Sequence, residues 1–167
     1  MYTINHIVAG YSDIPDRTLR YKIDKYIRSN NPAAPAVGEY YVQLGRKFKI
    51  KPEFAAAQAI HETGFFKFGG QVSGEWHNPA GLRCTHPIYG SYWLKFYTLG
   101  DGCSVRGGTQ EVPYSCWYVG IHAHYERLSA YIYGNPKGGD YGKFDECYDP
   151  WRHRWLIQRF GRSDRVI

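Results

Sequence analysis

At residues 55–66 the chain reads AAAQAIHETGFF, an alanine-rich run that leads into a single glutamate and a glycine. Pro52, just upstream, suits the first turn of a helix because it lacks the N–H group that would be unpaired there. Gly64 readily adopts the left-handed conformation that ends many helices. The pattern therefore predicts a helix that starts near Pro52, stops at Gly64 and carries Glu62 on its last turn.

The predicted position of Glu62 disfavours a negative charge. Unpaired carbonyl groups at the end of a helix repel an anion, and we expect Phe65, Phe66, Phe68 and Trp76 to keep water away. Both effects favour the neutral carboxylic acid, which is the form that a glycosidase needs to protonate the leaving oxygen of a glycosidic bond. A solvated glutamate at a helix end is the alternative that the position alone leaves open.

Two ordered blocks of sequence carry a family resemblance. The first reads AQAIHETGFFKFGGQV at 57–72 and continues with NPAGL at 78–82, and the second reads WYVGIHAHYERLSAY at 117–131. Together with the later dipeptide Asp149-Pro150, they resemble the bacterial and phage peptidoglycan glucosaminidase-domain family. The similarity runs with gaps over about 37–160, and two blocks in order are far more specific than one short motif.

The resemblance implies both a fold and an activity. The implied fold is mainly α (α+β), lysozyme-like, with a small β-hairpin lobe beside the catalytic groove. The implied activity is cleavage of the β-1,4 glycan of peptidoglycan by an endo-β-N-acetylglucosaminidase, with Glu62 as general acid and no cofactor. A lytic transglycosylase or a muramidase acting on the same glycan is an alternative, and a non-catalytic glycan-binding module is the alternative from another class.

A second catalytic group is less clearly marked than Glu62. Asp101 matches the spacing at which some relatives carry a carboxylate on the β-lobe, and Glu111 ranks equally as a catalytic candidate. Glu75 ranks third. The 2-acetamido group of the substrate can also act as the nucleophile, which removes the need for a second carboxylate.

The resemblance also predicts substrate-binding residues. In the family, the stretch that matches residues 78–82 forms part of the cleft, and members use a cleft tyrosine for which Tyr131 and Tyr148 are the candidate counterparts. The predicted substrate-binding residues are Glu75, Trp76, Asn78, Gly81, Tyr131 and Tyr148.

No metal site is predicted. His61 and Glu62 begin an H-E-x-x-H motif, but position 65 holds phenylalanine instead of the second histidine. His122 and His124 are two positions apart, so on a helix they point about 200° apart and cannot share one metal ion; packing or capping roles are expected for them. The four cysteines form no C-x-x-C pair, and one or two disulfides or four thiols remain open.

Length and charge restrict the class of protein further. A chain of 167 residues fits a single domain, here 1–167 with a core of about 37–160 and an N-terminal helical extension at 12–30. The net charge of +6 favours a polyanionic partner, and the charge alone does not distinguish nucleic acid from a bacterial wall. No nucleic-acid-binding module is recognisable in the sequence. No apolar run is long enough for a membrane span or a signal peptide. We therefore expect a monomer that binds peptidoglycan glycan strands and neither binds nucleic acid nor inserts into a membrane. Its expected location is outside the cell or in the wall, as a secreted autolysin or a phage-delivered lysin.

The remaining elements follow from periodicity and turn signals. A first helix is predicted from Ser12–Pro15 to Asn30, a second over Val37–Phe48 and a long one over about Tyr118–Tyr133. A strand over Tyr92–Leu99 is expected to turn at Gly100-Asp101-Gly102 and pair with a return strand at Cys103–Arg106. A last helix is expected after Pro150.

Overall fold

The computed structural model describes residues 8–86, 90–99, 102–105 and 116–133. Four α-helices lie in these ranges: α1 (Asp16–Asn30), α2 (Gly38–Phe48), α3 (Pro52–Thr63) and α4 (Cys116–Tyr133). A short 3₁₀ turn spans Gly74–Trp76. The described part of the chain is therefore mainly helical, and the four predicted helices up to Tyr133 are confirmed with bounds that differ by at most a few residues.

Helix α1 packs its apolar stripe, Leu19, Ile23 and Ile27, into the main core. It also fixes where α2 begins. The Asp24 carboxylate accepts hydrogen bonds from the backbone N–H groups of Val37 and Gly38 at 2.9 and 2.8 Å, and so satisfies donors that the first turn of α2 would leave unpaired. The N-terminal helix thus shares one core with the helices that follow it.

Helix α2 contacts the other three helices and supplies buried side chains such as Tyr41 and Leu44. The Tyr125 hydroxyl of α4 donates a hydrogen bond to the Tyr41 carbonyl oxygen at 2.7 Å. The Phe48 ring stacks on the Tyr125 ring with a centroid distance of 5.8 Å. These contacts hold α4 against α2, although Tyr41 and Tyr125 are 84 residues apart in the chain.

Within the described ranges, four short strands form two antiparallel pairs. β1 (Arg83–His86) pairs with β2 (Gly90–Trp93), and β3 (Phe96–Leu99) pairs with β4 (Gly102–Val105). The predicted return strand at Cys103–Arg106 is confirmed within one residue by β4, which pairs with β3. The predicted strand over Tyr92–Leu99 is wrong as a single strand, and β1 was not predicted. The interruption comes at Leu94, which is buried and donates its backbone N–H to the Leu82 carbonyl oxygen at 2.9 Å instead of continuing the ladder.

The last helix, predicted after Pro150, lies outside the described residues. The sequence over residues 1–10 has no clear period and predicts an irregular arm, of which the structure describes residues 8–10. There, backbone hydrogen bonds join Val8 and Gly10 to the chain between α2 and α3. The disulfide question also stays open, because Cys147 and the side chains of Cys84 and Cys103 fall outside the described part.

Candidate functional site

Glu62 lies on the last turn of α3 and lines an open cleft of about 520 Å³. We call this space the Glu62 cleft. Its other walls come from the turn between Thr63 and Val72 and from Asn78, Gly81 and Trp93. Three of the residues singled out in the sequence, Glu62, Asn78 and Gly81, are therefore brought to one cleft.

The turn that follows Glu62 has an unusual backbone. Gly64, Phe65, Phe66 and Phe68 have φ angles of 57°, 60°, 62° and 54°, which all lie in the left-handed region. Gly64 is the predicted helix terminator. For a residue with a β-carbon this conformation costs roughly 1–3 kcal/mol, so it persists only where surrounding contacts impose it.

Thr63 imposes much of this conformation. Its buried hydroxyl donates to the Ala59 carbonyl oxygen at 2.7 Å and accepts from the Phe66 backbone N–H at 2.8 Å. The Thr63 carbonyl oxygen accepts from the Phe68 N–H at 3.0 Å. The Asn31 amide group, which follows α1, donates to the Phe65 carbonyl oxygen at 2.9 Å. The chain therefore reverses tightly beside Glu62.

The expectation that four aromatic side chains keep water from Glu62 is wrong, because the Glu62 side chain is exposed. Phe65 packs edge-on against Tyr26, with ring centroids 5.5 Å apart. Phe66 is buried in the core and packs edge-on against Trp117 at 5.4 Å. The left-handed turn thus directs these two rings into the helical packing.

The other two aromatic residues also differ from the expectation. Phe68 does line the Glu62 cleft. Trp76 belongs to the 3₁₀ turn, where the Lys95 ammonium lies over its ring at 4.1 Å from the centroid. Trp76 does not line the Glu62 cleft, and its role in binding substrate stays a prediction.

The Asn78 side chain is completely buried, and backbone groups use all of its hydrogen-bonding atoms. Its amide nitrogen donates to the carbonyl oxygens of Leu82 at 2.9 Å and Leu94 at 3.0 Å. Its amide oxygen accepts from the Leu82 N–H at 2.9 Å. Asn78 therefore shapes the wall of the cleft by joining the 78–82 turn to the chain after β2, and its predicted contact with substrate stays a prediction.

Gly81 has a φ of 57° and sits where the cleft wall turns. A β-carbon at this position would lie 3.9 Å from the Trp93 ring. The Arg83 guanidinium stacks over the same ring at 4.6 Å from the centroid. Gly81 thus keeps the backbone open beside an aromatic face, at a position that borders a second cleft as well.

The second cleft, of about 360 Å³, is lined among others by Gln58, Gly81, His124 and Tyr131. We call it the Gln58 cleft. Tyr131 is 69% exposed. Gln58 precedes Glu62 by four residues and so lies on the same face of α3, about 6 Å along the helix. No role was predicted for Gln58 from the sequence, although its spacing from Glu62 was a signal for one.

His124 fixes the amide group of Gln58. Its Nε2 atom lies 3.0 Å from the Gln58 Oε1 atom. Because that oxygen can only accept, this orientation of the amide group requires a proton on Nε2 of the ring. His124 is fully buried, and desolvation lowers its pKa from 6.5 to about 4. The imidazole is therefore neutral at physiological pH and donates a steady hydrogen bond to Gln58.

His122 faces a different helix from His124, as the spacing of the two residues predicts. Its Nδ1 atom lies 3.4 Å from the buried carboxylate of Glu126, one turn later in α4. Its Nε2 atom lies 3.2 Å from the Lys47 ammonium of α2. The two histidines therefore help to join α4 to α2 and to α3.

Glu75 lies apart from the Glu62 cleft. It lines a wide depression of about 530 Å³ together with Phe68, His77 and Trp117. Phe68 borders both this depression and the Glu62 cleft. Glu75 does not line the Glu62 cleft.

The remaining predicted site residues, Asp101, Glu111 and Tyr148, lie outside the described residues. In the ranges that the structure covers, no three histidine, cysteine or carboxylate side chains gather closely enough to hold a metal ion. No helix in those ranges is long and apolar enough to cross a membrane.

The described fold and clefts define a mainly helical protein with two adjoining clefts along one face of α3. Comparison of the chain with protein-family models, with curated proteins and with solved structures finds no significant match.

Proposed function

We propose that this chain hydrolyses the β-1,4 glycan backbone of peptidoglycan as an endo-β-N-acetylglucosaminidase, with Glu62 as the general acid. The observation that supports this most is the position of Glu62, whose exposed side chain lines an open cleft of about 520 Å³. Among the described residues, none forms a hydrogen bond or ion pair with its carboxylate. The carboxyl group is therefore available to a ligand.

The other walls of the Glu62 cleft suit a sugar chain. The aromatic face of Trp93 offers an apolar surface for the C–H face of a sugar ring. The glycines of the 63–72 turn and Gly81 let backbone groups approach a ligand closely. A groove with one aromatic wall and one backbone wall fits an extended, polar polymer better than a compact apolar ligand.

In the proposed reaction Glu62 donates its proton to the glycosidic oxygen while the bond from that oxygen to the anomeric carbon breaks. Water supplies the oxygen that finally bonds to the anomeric carbon and the proton that restores Glu62. A glycan that fills the cleft displaces water from the space beside Glu62 and so keeps solvent away from the site of proton transfer. Asp101, Glu111 and the 2-acetamido group of the substrate remain the candidates for the second group. Glu75 is the least favoured carboxylate because it lines a separate depression.

The lysozyme-like fold is part of the same proposal, with the two strand pairs forming a β-lobe beside the groove. In its support, Trp93 at the end of β2 lines the Glu62 cleft. The proposed substrate implies that the protein acts outside the cell or in the wall, as a secreted autolysin or a phage-delivered lysin. The net charge of +6 favours binding to an anionic wall.

The Glu62→Gln variant tests the role of the acid. Glutamine keeps the shape of the side chain but cannot donate a proton to the leaving oxygen, so wall clearing should fall about 10²- to 10⁴-fold. Binding of the protein to sedimented walls should change little. The matched control is Glu39→Gln, which makes the same chemical change at an exposed glutamate paired with Arg20 on the α1–α2 surface. Equal activity of the wild type and Glu62→Gln would refute the assignment of Glu62.

Mass spectrometry of fragments from purified peptidoglycan tests the bond that is cut. Borohydride reduction marks the new ends, and we expect reduced N-acetylglucosamine. Reduced N-acetylmuramic acid would identify a muramidase, and anhydro ends would identify a lytic transglycosylase. If no glycan fragments form while a control enzyme digests the same walls, the hydrolase proposal fails and a non-catalytic glycan-binding module replaces it.

A further inference from the structure

The Gln58 cleft continues the Glu62 cleft along α3. Gly81 lines both spaces, and Gln58 lies one helical turn before Glu62. A polymer that passes over Glu62 along this face therefore has a second recess available to it, next to the carboxyl group.

Gln58 lines that recess, and the orientation of its side-chain amide is fixed. Its Oε1 atom already accepts the proton on His124 Nε2 at 3.0 Å. In the part of the chain that the structure covers, the Gln58 amide makes no other hydrogen bond. The two N–H donors of its Nε2 group are thus what the side chain can still offer. Exchanging the oxygen and the nitrogen would require the other imidazole tautomer, with its proton on the buried Nδ1 atom, which has no acceptor among the described residues.

His124 is well placed to hold this state. It is 1% exposed, and its ring packs edge-on against the Tyr41 ring with centroids 6.4 Å apart. Its second nitrogen, Nδ1, is buried and has no hydrogen-bond partner among the described residues. Among the described residues, the bond to Gln58 is therefore the one hydrogen bond that this imidazole makes.

We propose that the Gln58 cleft is a subsite for an N-acetylated sugar, in which the Gln58 amide N–H donates to the acetamido carbonyl oxygen and His124 is the positioning residue that keeps the donor outward. This rests on the proposed function, from which the glycan is taken. A side chain with only donors left selects a ligand with a strong acceptor. The amide carbonyl of an acetamido group is an acceptor only, whereas a sugar hydroxyl both donates and accepts.

Binding of soluble oligosaccharides to the full chain tests the subsite. The probes are a tetrasaccharide of β-1,4-linked N-acetylglucosamine and the matching tetrasaccharide of β-1,4-linked glucose, which carries hydroxyl in place of acetamido. All proteins carry Glu62→Gln so that the probe stays intact, and titration calorimetry gives the dissociation constants. Gln58→Leu should weaken binding of the acetylated probe about tenfold, the order expected for one neutral hydrogen bond, and leave the glucose probe unchanged.

Three further variants separate selectivity from folding and from a merely structural role. Gln58→Glu keeps the acceptor for His124 but removes the N–H donors, so it should lose selectivity as Gln58→Leu does. His124→Phe should lose it as well, whereas His124→Gln, which can place an N–H donor near the same point, should restore it. Thermal melting identifies any variant that does not fold, in which case the other Gln58 variant decides.

The result that overturns the proposal is equal weakening of both probes, or no change in either, on substitution of Gln58. Wall digestion by the wild type reports separately on hydrolysis. A protein that digests walls but shows no Gln58-dependent preference for the acetylated probe loses the subsite and keeps the proposed function. A protein that shows the preference but cuts no glycan keeps the subsite and loses the hydrolase.

Discussion

Gly120 in α4 lies against the backbone of His77, the residue that follows the 3₁₀ turn Gly74–Trp76. We call this place the His77 turn. Substitution of Gly120 by alanine should destabilise the fold. A β-carbon added at Gly120 would lie 1.9 Å from the His77 carbonyl oxygen and 3.3 Å from a ring carbon of Phe96. The first distance is far below van der Waals contact, and the obstructing atom belongs to the backbone. Helix α4 and the His77 turn would have to separate.

The size of the effect is a balance of two terms. In an unobstructed helix, alanine is favoured over glycine by about 1 kcal/mol. Overpacking of a buried site costs about 1–3 kcal/mol, and a clash with backbone belongs at the upper end. Gly120→Ala should therefore lower the free energy of unfolding by about 2 kcal/mol, which lowers Tm by roughly 4–8 °C in a chain of this length.

Thermal unfolding followed by circular dichroism measures this change. The matched control is Gly69→Ala, since no atom lies within 4 Å of a β-carbon added there. The control should stay within about 0.5 kcal/mol of the wild type. If Gly120→Ala melts at or above the wild-type temperature, the close approach of α4 to the His77 backbone does not exist in solution.

Other substitutions test the turn, the cleft wall and the buried imidazole. Thr63→Val keeps the side-chain shape but leaves the buried Phe66 N–H without its acceptor, so denaturant unfolding should show a loss of about 1–3 kcal/mol, and an unchanged midpoint would contradict the role of Thr63. Asn78→Asp replaces two donated hydrogen bonds by repulsion between the carboxylate and two backbone carbonyls, and should cost about 3 kcal/mol or more at neutral pH; wild-type stability of this variant would show that the amide does not hold the wall. Burial lowers the pKa of His124 from 6.5 to about 4, so the unfolded chain takes up this proton first as pH falls. The contribution of His124 to stability is therefore complete above about pH 6.5 and is lost towards pH 4, by about 3 kcal/mol in total. The difference in unfolding free energy between wild type and His124→Gln should change by this amount between pH 7 and pH 4, and a constant difference would contradict it.

The helices could be predicted because their signals are local. The spacing of Leu19, Ile23 and Ile27 defines a buried stripe, and Pro52 and Gly64 mark the ends of α3. Such patterns depend on residues within a few positions of one another, so they indicate a helix without any knowledge of distant parts of the chain.

Features that depend on distant partners could not be predicted in the same way. The strand expected over 92–99 is interrupted because Leu94 bonds to Leu82, and β-propensity contains no information about that partner. Phenylalanine has no preference for left-handed backbone, so the left-handed conformation of Phe65, Phe66 and Phe68 in the turn after Glu62 could not be predicted. Gln58 could be placed on the Glu62 face of α3, but the histidine that orients it lies 66 residues away.

The Asn78 amide joins Leu82 to Leu94 and thereby fastens both ends of the segment between them, which carries the β1–β2 pair. The entropy cost of closing a loop rises slowly with its length, so insertions in the connection between β1 and β2 should be tolerated at small cost. A change of length within either strand would instead shift the pairing of the two strands. The β1–β2 side of the Glu62 cleft can therefore be extended during evolution or engineering, while the wall that carries the carboxyl group keeps its shape.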